Sequence, residues 1–302
     1  MGLLAFSCTN AQEKEGESVV KEYSAKEIIK IINKGKEVII SNAIIKDDLI
    51  FSEVEDTDFT SLAGFTANVN VNIFFQGCVF MGDVKSVGKK KVKEKKINVK
   101  TRFGKDVNFT DCDFRKNVDF SEAEFSHTVN FAKSIFRGHT QFNNIYCLGQ
   151  QNQWWEIEAD STFLMCNSTF LGNVNMMDAK FQREFTLQGL SINNLQISNI
   201  IVEEKFDFSL ANVQGYLICN YGQFNGDAIL SYGRFLGRAD ITNSHFHQDF
   251  EIKKSLFYGL VKLNKTTFSK KISTEQSHFM TPPDTEGIQY QENNAPDFGK
   301  FQ

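Results

Sequence analysis

Proline is scarce in this chain, and long apolar runs are missing. The 302 residues include 3 prolines and 2 tryptophans but 30 phenylalanines. A membrane-spanning helix needs roughly 18 consecutive apolar residues, and the sequence has no such run. Few prolines and many phenylalanines favour short, buried, aromatic-rich strands over helices or proline-broken linkers. The composition therefore predicts an ordered, β-rich protein.

An excess of either charge is also missing. Lysine and arginine number 33, aspartate and glutamate 37, and the formal net charge is −4. No global charge therefore attracts the chain to nucleic acid or to an acidic ligand. The sequence also lacks the nucleophile elbow, the P-loop, the H-E-x-x-H zinc motif and the dinucleotide fingerprint. These absences predict a protein that is not an enzyme and that needs no cofactor.

A repeat dominates what is present. From Phe103 to Phe142 the phenylalanines are alternately six and five residues apart, so the period is 11. A small or β-branched residue stands two positions before a phenylalanine, as Val107 does before Phe109. Residues at i and i+2 share one face of an extended chain, so each such pair points inward while the polar residues point outward. The repeating unit is therefore two short strands joined by turns.

The same phase returns in the second half of the chain, at intervals of 11 from Val213 onward. Successive coils of stacked strands lie about 4.8 Å apart, so like residues stack and bury a continuous core. The predicted core ladder consists of Phe103, Phe109, Phe114, Phe120, Phe125, Phe131, Phe136, Phe142, Phe224, Phe235, Phe246, Phe257, Phe268 and Phe279.

The repeat resembles that of the pentapeptide-repeat family. The family's unit of small, polar, Phe or Leu, polar and any residue is seen at 112–116 (CDFRK) and at 123–127 (AEFSH). The resemblance covers roughly residues 38–279. It implies an all-β fold, a right-handed quadrilateral parallel β-helix with about 20 residues per coil. Here every second unit has six residues, so we expect about 22 residues per coil.

The remaining segments predict a cap, four loops and a tail. A capping box at 24–27 and an apolar face behind it predict an N-terminal capping helix within residues 23–37. Interruptions of the phase predict protruding loops; they lie near 52–68, 87–102, 147–158 and 192–202. The polar residues 280–302 predict a disordered tail.

Residues 1–22 have two interpretations. The run Leu3-Leu4-Ala5-Phe6-Ser7-Cys8 resembles the end of a bacterial lipoprotein signal peptide, here a truncated one without a basic n-region. Cys8 would then carry the lipid that anchors the protein to a membrane, and the polar residues after it would form a flexible tether. The alternative is the apolar N-terminus of a cytosolic protein.

Two of the interruptions contain candidate binding residues. The second has a single acid, Glu94, among many bases; these are Lys89, Lys90, Lys91, Lys93, Lys95, Lys96 and Lys100. They predict either a basic finger that docks on anionic headgroups, lipopolysaccharide or nucleic acid, or a solvated loop whose lysines prevent aggregation. The third contains Trp154 and Trp155, which would either contact a sugar or protein partner or pack over the side of the solenoid.

Metal binding, catalysis and DNA mimicry find little support. The cysteines have no C-x-x-C spacing, and His245 and His247 flank the inward Phe246 without a third ligand. Outward acids alternate with bases, so no carboxylate pair is poised for glycoside cleavage. Some family members imitate duplex DNA with a dense acidic stripe and bind DNA gyrase, but this sequence has no such stripe.

The sequence therefore predicts a non-enzymatic structural or protein-interaction scaffold that is a cell-envelope lipoprotein. Its partner would be a protein or another envelope component. The alternatives are a cytosolic pentapeptide-repeat binding module and, ranked after it, a DNA-mimicking protein that binds gyrase.

Overall fold

The computed structural model describes residues 20–60, 64–92 and 95–291, together with residues 295 and 298. Within these residues the chain winds into a β-solenoid of short parallel strands with one short α-helix. The strands stack into four walls. Two walls are separate sheets of 12 and 10 strands, and the other two share a 20-stranded sheet. The quadrilateral parallel β-helix predicted from the repeat is confirmed.

The walls are numbered in the order in which the chain reaches them after the helix. Wall 1 contains Val38–Ser41, Ile73–Gln76, Val107–Thr110, Val129–Asn130, Gln151–Gln153, Leu217–Ile218, Ala239–Asp240 and Val261–Lys262. Wall 2 contains Lys21–Tyr23, Ala43–Ile45, Val79–Phe80, Asp113–Phe114, Ile135–Phe136, Glu158–Ala159, Lys180–Phe181, Ile201–Val202, Gln223–Phe224, His245–Phe246, Thr267–Phe268 and Gln289–Tyr290.

Wall 3 contains Leu49–Ile50, Val84–Lys85, Val118–Asp119, Thr140–Gln141, Phe163–Leu164, Phe185–Thr186, Phe206–Asp207, Ala228–Ile229, Phe250–Glu251 and Ile272–Ser273. Wall 4 contains Gly64–Val69, Lys95–Phe103, Glu124–Phe125, Tyr146–Cys147, Thr169–Asn175, Ser191–Gln196, Asn212–Val213, Arg234–Phe235, Leu256–Phe257 and His278–Phe279. The strands Thr169–Asn175 and Ser191–Gln196 continue around the corner into wall 1, which joins these two walls into one sheet.

One coil takes 22 residues over most of the rod. Phe224 pairs with Phe246, and Phe246 pairs with Phe268, each 22 positions farther on. One residue in every 11 has a positive φ, as do Tyr232 (φ 59°) and Asn243 (φ 56°). Left-handed backbone bends the chain sharply, so these residues form the corners between walls 1 and 2 and between walls 3 and 4.

The predicted ladder of phenylalanines fills the interior. All of its members are buried, and the most exposed of them, Phe279, is 7% exposed. Rings of successive coils stack nearly parallel. The centroids of Phe109 and Phe131 are 5.1 Å apart, and those of Phe224 and Phe246 are 4.7 Å apart. Burying one such ring contributes about 1.5–3 kcal/mol, and a favourable ring pair adds about 0.5–1.5 kcal/mol.

The first coil is covered by the helix α1, Ala25–Asn33. The capping box predicted from the sequence is present: the Glu27 backbone N–H donates to the Ser24 hydroxyl at 3.3 Å, and the Ser24 backbone N–H donates to the Glu27 carboxylate at 2.7 Å. Ile28 and Ile32 are buried beneath the helix, which contacts the first strands of walls 1 and 3. The helix therefore closes the apolar end of the core.

Both ends of the solenoid extend beyond their expected limits. Residues 21 and 22 belong to the first strand of wall 2, which pairs with Ala43–Ile45, and not to the expected tether. At the other end Gln289–Tyr290 pairs with Thr267–Phe268. The expectation of a disordered tail is thus wrong for residues 280–291, because their backbone groups pair with the preceding coil despite their polar side chains. Except for residues 295 and 298, the rest of the expected tail lies outside the described residues.

Two of the four expected loops are not loops. Near 147–158 one coil has one extra residue, since Ile135 pairs with Glu158, and near 192–202 another has one fewer, since Lys180 pairs with Ile201. The strands through both places remain in their walls, because the corners absorb a single residue. The interruptions near 52–68 and 87–102 are true insertions, and each forms a β-hairpin.

Candidate functional site: a basic hairpin sheet

Both hairpins leave the solenoid at the same place, between wall 3 and wall 4 of the first two coils. In the first, Thr57–Thr60 pairs antiparallel with Gly64–Val69. In the second, Gly88–Val92 pairs antiparallel with Lys95–Phe103. The wall 4 strands of the two hairpins pair in parallel, with Val99 opposite Phe65. The four strands form one continuous unit, which we call the hairpin sheet.

The local sequence explains the first hairpin. Threonines and phenylalanines in its two strands favour extended backbone, and Gly64 adopts φ 77° after the turn. Phe59 and Phe65 are cross-strand neighbours whose ring centroids are 4.9 Å apart. Such aromatic pairs stabilise a hairpin by about 0.2–1 kcal/mol. Phe59 remains 59% exposed, so this end of the hairpin sheet presents an apolar side chain to solvent.

The predicted basic finger is the second hairpin. Lys93 and Glu94, which follow Val92 in the sequence, lie outside the described residues. Lys91 is opposite Lys96 in the antiparallel register, and Lys95 is opposite Val92.

Two lysines of the hairpin are tied to the protein. The Lys90 amine donates to the Thr57 hydroxyl at 3.2 Å and lies 5.3 Å from the centroid of the Phe65 ring. The Lys100 amine forms an ion pair with Glu124, one coil farther along wall 4. Both contacts hold the second hairpin in place, the first against its neighbour and the second against the rod.

Lys89 and Lys96 are different. Both side chains are exposed, and neither amine has a carboxylate within 4 Å among the described residues. Lys89 is opposite Asn98, and Lys96 lies on the facing strand one residue farther towards the tip than Ile97. Their charges are therefore available to an external anion.

Glu124 fixes the base of the hairpin sheet. Its carboxylate accepts a hydrogen bond from Arg102 Nε at 2.8 Å besides the one from Lys100, and Arg102 also lies 3.9 Å from Asp58 on the first hairpin. Burial raises the pKa of Glu124, but the hydrogen bonds from Lys100 and Arg102 outweigh it, so the pKa lies below its ordinary value of 4.5. Arg102 and Glu124 are 22 residues apart, which is one coil, but Arg102 fell within the expected loop 87–102, so the sequence did not predict this anchor.

A cleft of about 530 Å³ lies beneath the hairpin sheet. Its apolar floor includes Val54, Val87 and Val99, and its rim has both Glu53 and Lys89. Acids and bases share this rim, so the cleft has no charge of one sign with which to select a small ionic ligand. The exposed lysines of the hairpin remain the more selective feature.

The two tryptophans have unequal positions. Trp154 is fully buried and occupies the core column of wall 1, with its ring 6.0 Å from Phe131. The expectation that it contacts a partner or packs over the side of the solenoid is wrong, because the one-residue adjustment of that coil turns it inward. Trp155 is partly exposed beside Lys133, whose amine lies 5.0 Å from the centroid of its ring.

Cysteines and histidines form neither a disulfide nor a cluster of metal ligands in the part of the chain that the structure describes. Its cysteines are all unbridged, and burial raises the pKa of Cys147 to about 12 and also raises those of Cys112 and Cys219. The rings of His245 and His247 stack with centroids 3.8 Å apart on the outside of wall 2. No group of three potential metal ligands occurs within the described ranges.

The comparisons with known proteins address the repeat itself. Residues 99–145 match the family model described as pentapeptide repeats (9 copies). No curated protein and no solved structure matches the chain. Cys8 lies outside the described residues, and none of the helices in the described part is long and apolar enough to cross a membrane.

The matched segment begins at the buried Val99 of the hairpin sheet and continues through the coils that contain Phe109 and Phe131. The same inward ladder and the same left-handed corners continue to Gly287. The resemblance inferred from the sequence is confirmed, and the chain is a pentapeptide-repeat protein.

Proposed function

We propose that this protein is a non-catalytic interaction scaffold at the cell envelope whose hairpin sheet docks on an anionic membrane surface. A repeat solenoid buries its core between coils and offers its outside to partners. The observation that carries the proposal is the exposure of Lys89 and Lys96 on one face of a hairpin that other residues hold in place.

Physical arguments support an anionic surface as the target. A lysine close to an anionic leaflet contributes about 1 kcal/mol, and this attraction falls off within the Debye length. Two exposed lysines on one face of the sheet therefore supply about 2 kcal/mol.

The test is co-sedimentation with vesicles of neutral lipid and with vesicles that contain an anionic lipid. The double variant Lys89→Ser/Lys96→Ser is expected to bind anionic vesicles roughly 30-fold more weakly than the wild type, the equivalent of about 2 kcal/mol. The control, Lys116→Ser/Lys270→Ser, removes the same charge from exposed positions elsewhere on the rod and is expected to bind normally.

Equal binding of neutral and anionic vesicles would refute the proposed docking, and so would equal losses in the two double variants. Retention of random-sequence duplex DNA that depends on Lys89 and Lys96 would instead make nucleic acid the partner. Each of these measurements needs only the purified chain.

The envelope placement relies on Cys8. If Cys8 carries lipid, the anchor keeps the rod at the membrane, and the hairpin then needs only a weak affinity for the surface because its local concentration is high. Wild-type protein is expected in the membrane fraction of cells and the Cys8→Ser variant in the soluble fraction. Soluble partitioning of both would favour the alternative, a cytoplasmic binding module.

A further inference from the structure

The outer face of wall 4 has no acidic residues in the last three coils. This acid-free face consists of residues 232–238, 254–260 and 276–280, and it contains no Asp or Glu although the chain has 37. Acids return on the adjoining walls, with Asp240 on wall 1 and Glu251 on wall 3. Glu122 and Glu124 lie on one earlier coil of wall 4, whereas the wall 4 segments between that coil and this face contain neither acids nor bases; they are residues 144–150, 167–173, 189–194 and 210–216.

Large apolar and aromatic side chains take the place of the acids. Those that the structure leaves at least 38% exposed on this face are Tyr232, Leu256, Tyr258, Leu260 and Met280. They lie on neighbouring coils of a rigid sheet, with Arg234 opposite Leu256 and Phe235 opposite Phe257. Contiguous exposed apolar residues of this kind mark interaction surfaces, whereas isolated ones do not.

Cations are set among the aromatic rings. The Arg234 guanidinium lies 5.5 Å from the centroid of the Tyr258 ring, and the Lys254 amine lies 5.4 Å from that of Tyr232. Neither Arg234 nor Lys254 has a carboxylate within 4 Å in the described part of the chain. The third cation, Arg238, reaches Asp240 at 3.5 Å, at the boundary of the face.

Tyr232 holds an unfavourable backbone conformation. Its φ is 59°, and it is a corner residue between walls 3 and 4. Asn144, Asn167 and Gly189 turn the same corner in earlier coils, as expected for residue types that tolerate left-handed backbone. Leu210, Lys254 and Gln276 take the same conformation at this corner, so the backbone of Tyr232 follows the repeat and its exposed ring is what distinguishes this position.

We infer that the acid-free face binds an acidic segment of another protein. Tyrosine, arginine and methionine are enriched at protein interfaces, where aspartate and glutamate are depleted, and tyrosine and arginine predominate among the residues that contribute most to binding. Carboxylates of the partner meet Arg234 and Lys254, and an apolar or aromatic side chain between them packs on Tyr258 and Leu256.

A second copy of this chain fits the face less well. Symmetric dimers bring the same patch of each subunit together, which would place the cations of one face near those of the other. An acidic partner removes this repulsion and supplies the missing charge. The inference depends on the scaffold function but not on membrane docking, which uses the hairpin sheet at the other end of the rod.

The experiment selects peptides from a random 12-residue phage-display library on the full chain. Enriched peptides are expected to carry Asp or Glu beside an aromatic or large aliphatic residue and to bind more weakly at high salt. Their affinity for the double variant Arg234→Ser/Tyr258→Ser is expected to fall roughly 30-fold or more, which corresponds to a loss of about 2 kcal/mol. The control Arg183→Ser/Tyr221→Ser removes the same residue types from exposed positions off this face and should bind normally.

Several outcomes would overturn the inference. They are enriched peptides without acidic residues, equal binding to both double variants, the absence of enrichment, and self-association that Arg234→Ser/Tyr258→Ser abolishes. Peptides are expected to bind Lys89→Ser/Lys96→Ser as they bind the wild type, because these lysines lie outside the acid-free face. This result would support the acid-free face even if the vesicle experiment refuted membrane docking. Thermal melting of each variant verifies that it is folded.

Discussion

The first two coils and the later ones stack in the same four walls but contain very different numbers of residues. In wall 2, Ile44 is paired with Val79, 35 positions on, and Val79 with Asp113, 34 positions on. From Asp113 onward the corresponding distances are between 21 and 23. Both long coils place their extra residues between walls 3 and 4. The strands on either side keep their register, so the solenoid tolerates a large insertion at an exposed corner but only single residues elsewhere.

The cores of the two regions differ as well. In wall 1 one inward column runs through Phe75, Phe109, Phe131 and Trp154 and then through smaller side chains such as Ile197. The rings of the early part contact several others each, and Phe131 lies within 6.2 Å of six aromatic neighbours, measured between centroids. The early coils are therefore held by aromatic packing and the later ones by aliphatic packing around fewer rings.

The largest expected effect tests this difference in packing. Phe131→Ala is expected to lower the free energy of unfolding by about 3–5 kcal/mol, because the stacked rings above and below cannot close the cavity. Ile197→Ala, in the same column of the aliphatic region, should cost less, near the lower end of about 2–5 kcal/mol. Urea titrations followed by circular dichroism measure both, and a loss under about 1 kcal/mol at Phe131 would show that the aromatic core is not tightly packed.

A smaller effect tests how closely the coils approach one another. A Cβ at Gly237 would lie 1.9 Å from the backbone carbonyl oxygen of Gly215, whereas at Gly104 it would lie 2.6 Å from the end of the Asn70 side chain. Backbone cannot move aside, so Gly237→Ala is expected to cost about 1–3 kcal/mol or more. Gly104→Ala, in an early coil, should cost less because Asn70 can change rotamer. Equal melting temperatures for the two variants would contradict this account.

The smallest effect tests the ion pairs that attach the hairpin sheet. The pKa of Glu124 lies below its ordinary value of 4.5, so its stabilisation is present above that pH and is lost as the pH falls through the lowered value. Glu124→Gln is expected to cost about 0.2–1 kcal/mol at pH 7, as partly exposed ion pairs do, and less at pH 3. Unfolding titrations of wild type and variant at both values measure the difference. A pH-independent difference would mean that the carboxylate charge does not hold the hairpin.

The sequence was most informative where its period was strict. From Phe103 to Phe142 every inward ring could be assigned, because the spacing of large residues alone determines which side chains face the core. The hairpins could not be assigned, since their pairing depends on contacts such as Phe59 with Phe65 that no period records. Trp154 was misjudged because a single added residue turned an expected loop residue into a core residue. The acid-free face was visible in the sequence only after the corners showed which segments share a wall.

The corner between walls 4 and 1 shows how this protein can change by insertion and deletion. From Asn144 to Glu156 the left-handed corners are 12 residues apart, and from Gly189 to Asn199 they are 10 apart. The added residue and the lost residue cancel in the spacing, so Phe103 and Phe224 are again separated by a multiple of 11. Each change in length is taken up at the corner where it occurs, and the strands after that corner keep their partners. That corner therefore accommodates one residue more or one residue fewer without a change in which strands pair.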